Sequence, residues 1–215
     1  MAPMKPSAHP RRAQAEVGTV RIIGGRWRGT RLQVPASPGL RPSSDRVRET
    51  LFNWLMPALP GARVVDAFAG TGALGLEAVS RGASTAVLVE RDPALAQALR
   101  ATVARLSAQE SVEVVQSDAS VWLARQPAAS FDLAFVDPPF DAGLWQTTLV
   151  VLLPALAPGA WIYVESPPDQ APALPPQWAL HREGRTREVR FALYRAPGRQ
   201  GADTLNGNVS VTVPE

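Results

Sequence analysis

Cysteine is absent from the 215 residues, and histidine occurs only twice, as His9 and His181. The first absence excludes disulfides, thiolate metal sites and covalent catalysis by a cysteine nucleophile. The second leaves almost no material for a histidine metal centre or a catalytic triad, so no metal is expected. Long apolar runs are also missing. A membrane span needs about 20 consecutive apolar residues, and the longest candidate, residues 149–164, is interrupted by Pro154, Pro158 and Gly159. Lys5, Arg11 and Arg12 are not followed by an apolar stretch of the signal-peptide kind. A cytoplasmic chain with no membrane partner is the expectation.

What is present suits one α/β domain with appendages: 46% of the residues are hydrophobic, enough for a sizeable core, and a monomer is expected. The formal net charge is only +3, yet residues 1–60 hold ten Lys/Arg against three Asp/Glu, while the rest holds twelve against sixteen. Arg21, Arg26, Arg28, Arg31, Arg41, Arg46 and Arg48, with Trp27 among them, suit phosphate pairing and base stacking. Charge alone describes a solvated, soluble face just as well.

Residues 1–17 are rich in Pro, Ala and charge without any period, which predicts a disordered tail. Residues 19–23 and 30–34 read as short strands around Gly24-Gly25-Arg26-Trp27-Arg28-Gly29, a small basic hairpin. Ser43, Ser44 or Asp45 can cap a helix over 46–56 whose Val47, Leu51, Trp54 and Leu55 face a core. From there strand and helix alternate, which predicts a mostly parallel sheet. Strands are expected at 63–68, 85–90, 112–116, 131–136, 160–165, 177–182 and 188–195, and helices at 73–81, 92–106, 119–125 and 143–154. The last two strands have no helix between them, so a tight turn at Gly184 and an antiparallel edge are expected. The domain reading is a tail at 1–17, a basic hairpin and helix at 18–60, a Rossmann-like core at 61–196 and a flexible tail at 197–215.

Between the first core strand and its helix stands Asp66-Ala67-Phe68-Ala69-Gly70-Thr71-Gly72-Ala73-Leu74-Gly75. A Gly-x-Gly-x-x-Gly turn lets a nucleotide-like ligand approach the backbone, though dinucleotide and S-adenosylmethionine binders share it. Asp66 separates them. A carboxylate at the strand end repels a pyrophosphate but can hold the cationic methionine part of S-adenosylmethionine. Glu90, ending the next strand before Arg91 and Asp92, is placed to accept ribose hydroxyls from either cofactor. Asp118, followed by Ala119, is placed to reach an adenine amino group; Asp92 and Asp118 also precede helices and can serve as caps.

At the carboxyl end of Phe131-Asp132-Leu133-Ala134-Phe135-Val136 comes Asp137-Pro138-Pro139-Phe140. A stiff double proline there fixes a carboxylate, a carbonyl and an aromatic ring together. Exocyclic amines of bases are poor nucleophiles because the lone pair is delocalised. A site must accept hydrogen bonds from the amine, which Asp137 and the Pro138 carbonyl can do, while Phe140 stacks on the base, worth about 1–3 kcal/mol. Lack of cysteine disfavours transfer to a pyrimidine C5 carbon.

These residues resemble the RsmD family of bacterial 16S ribosomal RNA guanine-N2 methyltransferases. The resemblance runs from about Arg21 to Arg195. Its specific parts are Arg21-Ile22-Ile23-Gly24-Gly25-Arg26-Trp27-Arg28-Gly29 and the block Leu40-Arg41-Pro42-Ser43-Ser44-Asp45-Arg46-Val47-Arg48-Glu49-Thr50-Leu51-Phe52-Asn53. The glycine loop, Val89-Glu90-Arg91-Asp92 and Asp137-Pro138-Pro139-Phe140 support the wider class. The resemblance implies a class I S-adenosylmethionine-dependent methyltransferase fold, a seven-stranded mixed sheet with helices on both faces. It implies N2-methylation of one guanine (position 966 in reference RNA numbering) on an assembling small subunit. Asp137, Pro138, Pro139 and Phe140 are the expected catalytic element. The expected cofactor contacts are Arg41, Ser43, Ser44, Asp66, Phe68, Ala69, Gly70, Thr71, Gly72, Glu90, Arg91, Asp118, Ala119 and Asp137. Arg21, Arg26, Trp27, Arg28, Arg31, Arg46 and Arg48 are expected to meet RNA. Ser43-Ser44 stands where the family shows two threonines, and 99–103 lacks an asparagine expected there.

Competing readings are an N-methyltransferase acting on DNA adenine or on a protein side-chain amide, a nicotinamide oxidoreductase, and a non-catalytic RNA-binding module. The first leaves the basic hairpin without a task. The second has no use for Asp137-Pro138-Pro139-Phe140 and is strained by Asp66.

Overall fold

Val, Leu, Ile and Phe recur at successive positions, not alternate ones, in the strands after residue 63, because those strands are covered on both faces. The computed structural model describes residues 18–34, 45–140 and 143–198. The expected tail 1–17, the expected tail 197–215 except for residues 197 and 198, and the expected cofactor contacts Arg41, Ser43 and Ser44 lie outside them. In chain order the elements are β1 (Gly18–Arg21), β2 (Arg31–Val34), α1 (Asp45–Leu55), β3 (Arg63–Asp66), α2 (Ala73–Ser80), β4 (Thr85–Glu90), α3 (Pro93–Arg105) and β5 (Val112–Gln116). Then follow α4 (Ala119–Leu123), β6 (Phe131–Val136), α5 (Trp145–Leu152), β7 (Leu156–Ser166), β8 (Ala179–Arg185) and β9 (Arg190–Arg195).

Seven strands form one sheet in the order β5-β4-β3-β6-β7-β9-β8. The first five run parallel, and β9 pairs antiparallel with both β7 and β8. Val64, Val65, Leu88, Val89, Leu133, Ala134, Phe135 and Val136 are all fully buried. One face packs on Leu51, Phe52 and Leu55 of α1, Leu76 of α2 and Leu99 of α3. The other packs on Leu123 of α4 and Leu149 and Leu152 of α5. Each such side chain contributes about 1.5–3 kcal/mol when buried from water. The chain steps outward from β3 through β4 to β5 and then crosses back to β6 on the other side of β3, so a crevice opens at the carboxyl ends of β3 and β6, where such sheets bind ligands.

Gly184 is not the turn expected of it. It lies within β8, and its partner across the ladder, Phe191, lays its ring where a side chain would be, with a Cβ at Gly184 falling 2.2 Å from the Phe191 ring. The reversal is made instead by Thr186, whose hydroxyl accepts from the N–H groups of Glu188 and Val189 at 3.2 and 3.1 Å, chemistry that needs no glycine. β7 also begins earlier than expected, at Leu156. Its ladder with β6 shifts register between Leu156 and Trp161, which accommodates Pro158 and Gly159 as an irregularity.

The β1–β2 hairpin is fixed to α2 by two buried polar side chains. Ser80 accepts from Trp27 N–H at 2.9 Å and donates to the Gly24 carbonyl at 2.6 Å, while its own carbonyl accepts from Arg26 N–H at 2.8 Å. Glu77, fully buried, accepts from Ile23 N–H, from Arg48 and twice from Arg81 at 2.7 to 3.2 Å. Gly25 sits at φ 75° with the Ser80 carbonyl so close that an added Cβ would lie 1.8 Å from it. Gly25→Ala is therefore expected to lift the hairpin tip from α2 and to destabilise the chain by about 1–3 kcal/mol, which thermal unfolding of variant and wild type checks.

Candidate active site

The glycine loop is shaped from within. Gly70 and Gly72 are both left-handed, at φ 51° and 76°, and Gly72 N–H closes on the Ala69 carbonyl at 2.6 Å. Gly75 sits where a Cβ would be 2.2 Å from Leu88, so helix α2 can lie tight against β4. The amino end of α2 has Gly72 at its cap, which carries no side chain to close it, and of the first-turn N–H groups that of Gly75 is taken by the Asp66 carboxylate.

Asp66 ends β3 and is only 2% exposed. Its Oδ2 accepts from Gly75 N–H at 3.0 Å, and it takes a further backbone hydrogen bond from Phe68. It is first a brace across the loop. Burial raises its pKa to about 7, opposed by the Gly75 hydrogen bond and reinforced by the negative charge of Glu90. With the folded value above the unfolded one, near 4, the stability this group confers is complete below about pH 4 and is lost as pH rises through about 7. Melting curves of the ligand-free chain from pH 5.5 to 8 are expected to show the wild type falling relative to Asp66→Asn; parallel curves would refute the linkage.

Glu90 closes the crevice from β4. Its Oε2 accepts from Gly70 N–H at 2.9 Å and its Oε1 from Asp92 N–H at 2.7 Å, so one half-buried carboxylate ties the glycine loop to the next one. Asp92 caps α3 through Ala94 and Leu95 N–H, with Pro93 in the first turn. Arg91 is exposed between them. Asp118 caps α4, and both cap bonds, from Ser120 and Val121, fall on the same oxygen, Oδ1; Ala119 beside it is buried. The cap readings of Asp92 and Asp118 therefore hold.

Asp137 stands half-buried just past β6, Pro138 is buried, Pro139 is exposed, and Phe140 is half-buried. Phe140 leans on Trp145 with ring centroids 5.8 Å apart. Trp145 in turn donates Nε1–H to the Glu165 carbonyl at 2.7 Å. A cavity of about 290 Å³ lies beyond, walled by Trp145, Gln146, Ser166 and Gln170 among others. Among the described residues no group of three His, Cys, Asp or Glu could hold a metal ion, and no helix is long and apolar enough to cross a membrane.

Of the arginines expected to meet RNA, Arg21, Arg26, Arg28, Arg31 and Arg46 are exposed. Arg26 lies 4.1 Å over the Trp27 ring. Arg48 is corrected: it is 1% exposed and spends its guanidinium on Glu77, on Asp45 at 2.7 Å and on the Arg21 carbonyl at 2.8 Å. A guanidinium enclosed by two carboxylates is not offered to phosphate. Glu77, Ser80, Tyr163 and Glu165 went unnoticed in the sequence. Glu77 left a sign, being the one charge in Ala-Leu-Gly-Leu-Glu-Ala-Val-Ser, a helix that is buried along its whole length.

A doubly wound sheet in this strand order, with the glycine loop after β3, an acid ending β4 and Asp137-Pro138-Pro139-Phe140 after β6, defines a Rossmann-like class I methyltransferase. Within that class the chain belongs to the family described as Conserved hypothetical protein 95, whose model matches residues 20–195. It is 49% identical over 191 residues to Ribosomal RNA small subunit methyltransferase D of Escherichia coli K12, covering 86% of this chain and 96% of that one. To the protein of the same name from Haemophilus influenzae it is 41% identical over 182 residues, covering 83% and 94%. Among solved structures, yhhF from Escherichia coli superposes with a TM-score of 0.77 at 46% identity, over 85% of this chain and all of that one.

Proposed function

We propose that this enzyme transfers a methyl group from S-adenosylmethionine to the exocyclic N2 amine of one guanine in 16S ribosomal RNA, on an assembling small subunit in the cytoplasm. The observation that carries the reading is the carboxylate of Asp137 held at the strand end beside a buried proline and a ring braced by Trp145. The names of the relatives at 49% and 41% identity support the ribosomal RNA substrate.

The cofactor supplies a methyl group made electrophilic by an adjacent sulfonium. The residues fit it: the first N–H groups of α2 after Gly72, those of Ala73 and Leu74, suit its carboxylate, Glu90 suits the ribose hydroxyls, and Asp118, whose Oδ2 takes no part in the helix cap, suits the adenine amine. Asp137 and the Pro138 carbonyl accept the two N–H groups of the target amine, drawing its lone pair out of conjugation. Phe140 stacks on the guanine and fixes the angle of approach. The exposed arginines of the hairpin, with Trp27, hold the RNA backbone, and the cavity beyond Trp145 receives a neighbouring nucleotide. Residues 18–60 act as an RNA-contacting appendage on a core of 61–196 in a monomer.

The test is transfer of labelled methyl from S-adenosylmethionine to small subunits, and separately to naked 16S RNA, taken from cells lacking the enzyme. Incorporation into subunits above that into naked RNA is expected. No incorporation into either would overturn the reading.

A further inference from the structure

β6 and β7 run parallel with Val136 opposite Val164, so the next residues, Asp137 and Glu165, stand side by side at the crevice, with strands about 4.8 Å apart. Both follow the same face of the sheet as Phe135 and Tyr163, whose rings meet edge to face at 6.1 Å. Glu165 is 2% exposed. The Tyr163 hydroxyl, itself fully buried, donates to Glu165 Oε1 at 2.7 Å, and the charge of Asp137 reaches the same hydroxyl. The Glu165 carbonyl holds Trp145, which braces Phe140. Glu165 thus stands behind both ends of the Asp137–Phe140 element, its carboxylate through the Tyr163 hydroxyl and its backbone carbonyl through Trp145. Burying a carboxylate is costly.

We propose that Glu165 is a positioning residue for methyl transfer, supplying a second negative charge, behind Asp137, that stabilises the positive charge arriving on the target nitrogen. This rests on the reading of the site as an amine methyltransferase. As the N–C bond forms and the C–S bond breaks, the bonding pair stays on sulfur, and positive charge moves from sulfur to nitrogen, which then gives up one proton to solvent. A fixed carboxylate beyond the nitrogen favours that redistribution without reorganising at the moment of reaction. The Tyr163 hydrogen bond holds Glu165 as an acceptor and fixes its distance from Asp137.

The experiment compares wild type, Glu165→Gln and Tyr163→Phe for kcat, KM for small subunits, and binding of S-adenosylhomocysteine and sinefungin, the analogue in which a primary amine replaces the methylsulfonium. Glu165→Gln keeps an acceptor for Tyr163 and removes the charge. It is expected to lower kcat at least about tenfold with KM within about threefold, and to reduce the preference for the cationic analogue over S-adenosylhomocysteine about fivefold or more, the scale of one charge lost at short range in a partly screened site. Tyr163→Phe leaves the charge in place and is expected to keep or raise that preference. A Glu165→Gln enzyme with wild-type kcat, or with an unchanged analogue preference, overturns the proposal. If Glu165→Gln does not fold, a lowered preference in Tyr163→Phe overturns it instead. Analogue binding needs no RNA, so failure of the wild type to methylate subunits would strike the reading of function separately.

Discussion

Replacing Asp137 by alanine is expected to lower kcat for methyl transfer at least about a hundredfold, the scale of one lost transition-state contact, while the affinity for S-adenosylmethionine stays within about threefold. The split follows from where Asp137 stands. It lies past the end of β6, beside Pro138 and Phe140, whereas the glycine loop proposed to carry the cofactor is braced by Asp66 and Glu90 through Gly75 and Gly70. Removing Asp137 takes an acceptor from the amine and leaves the loop intact. Steady-state kinetics on small subunits together with calorimetric cofactor titration checks it, and a variant with near-normal turnover would remove Asp137 from the mechanism.

The second large effect is on stability. Glu77→Ala is expected to destabilise the chain by about 3–5 kcal/mol, because it takes from a buried guanidinium its one buried carboxylate and leaves it only the exposed Asp45 as counter-charge. Arg48, 1% exposed, loses the Oε2 contact at 3.2 Å, Ile23 N–H loses its acceptor, and Arg81 loses two hydrogen bonds. At about 2–4 °C per kcal/mol for a chain of this size, the melting temperature should fall by roughly 6–20 °C. Arg81→Ala, by contrast, removes a partner that is 18% exposed and leaves Glu77 paired with Arg48, so its cost should be under half as great. Thermal unfolding of both variants under one condition measures the contrast; equal losses would mean that Glu77 is not the hub joining hairpin, α1 and α2.

The sequence made the parallel part of the fold legible because β3, β4 and β6 are apolar at consecutive positions and each ends in an acid or at a turn. Strand order was not legible in the same way, since it depends on which neighbours each strand meets. The Gly184 turn failed for a physical reason: a glycine can serve an aromatic ring crossing over it as well as a reversal, and Phe191 was seven residues away. Arg48 failed because a charge reads alike on either side of a helix. Its spacing held the answer, for Arg48 shares a helical face with Leu51, Phe52 and Leu55, all fully buried. The crevice acids Asp66, Glu90 and Asp118 were visible from their places at strand ends, yet their hydrogen bonds to Gly75, Gly70 and Ser120 were not. Glu165 escaped notice because it sits in Val164-Glu165-Ser166, with no stiff proline pair immediately after it to mark a site of the kind that follows β6.

The central claim is that this chain methylates the exocyclic amine of a single guanine. The most direct measurement is mass spectrometry of nucleosides from 16S RNA of enzyme-free small subunits after incubation with S-adenosylmethionine and either the wild type or Asp137→Ala. One N2-methylguanosine per RNA with the wild type, and almost none with the variant, is the predicted result. A methylated adenosine, a methyl group at a ring carbon, or equal products from both proteins would contradict it.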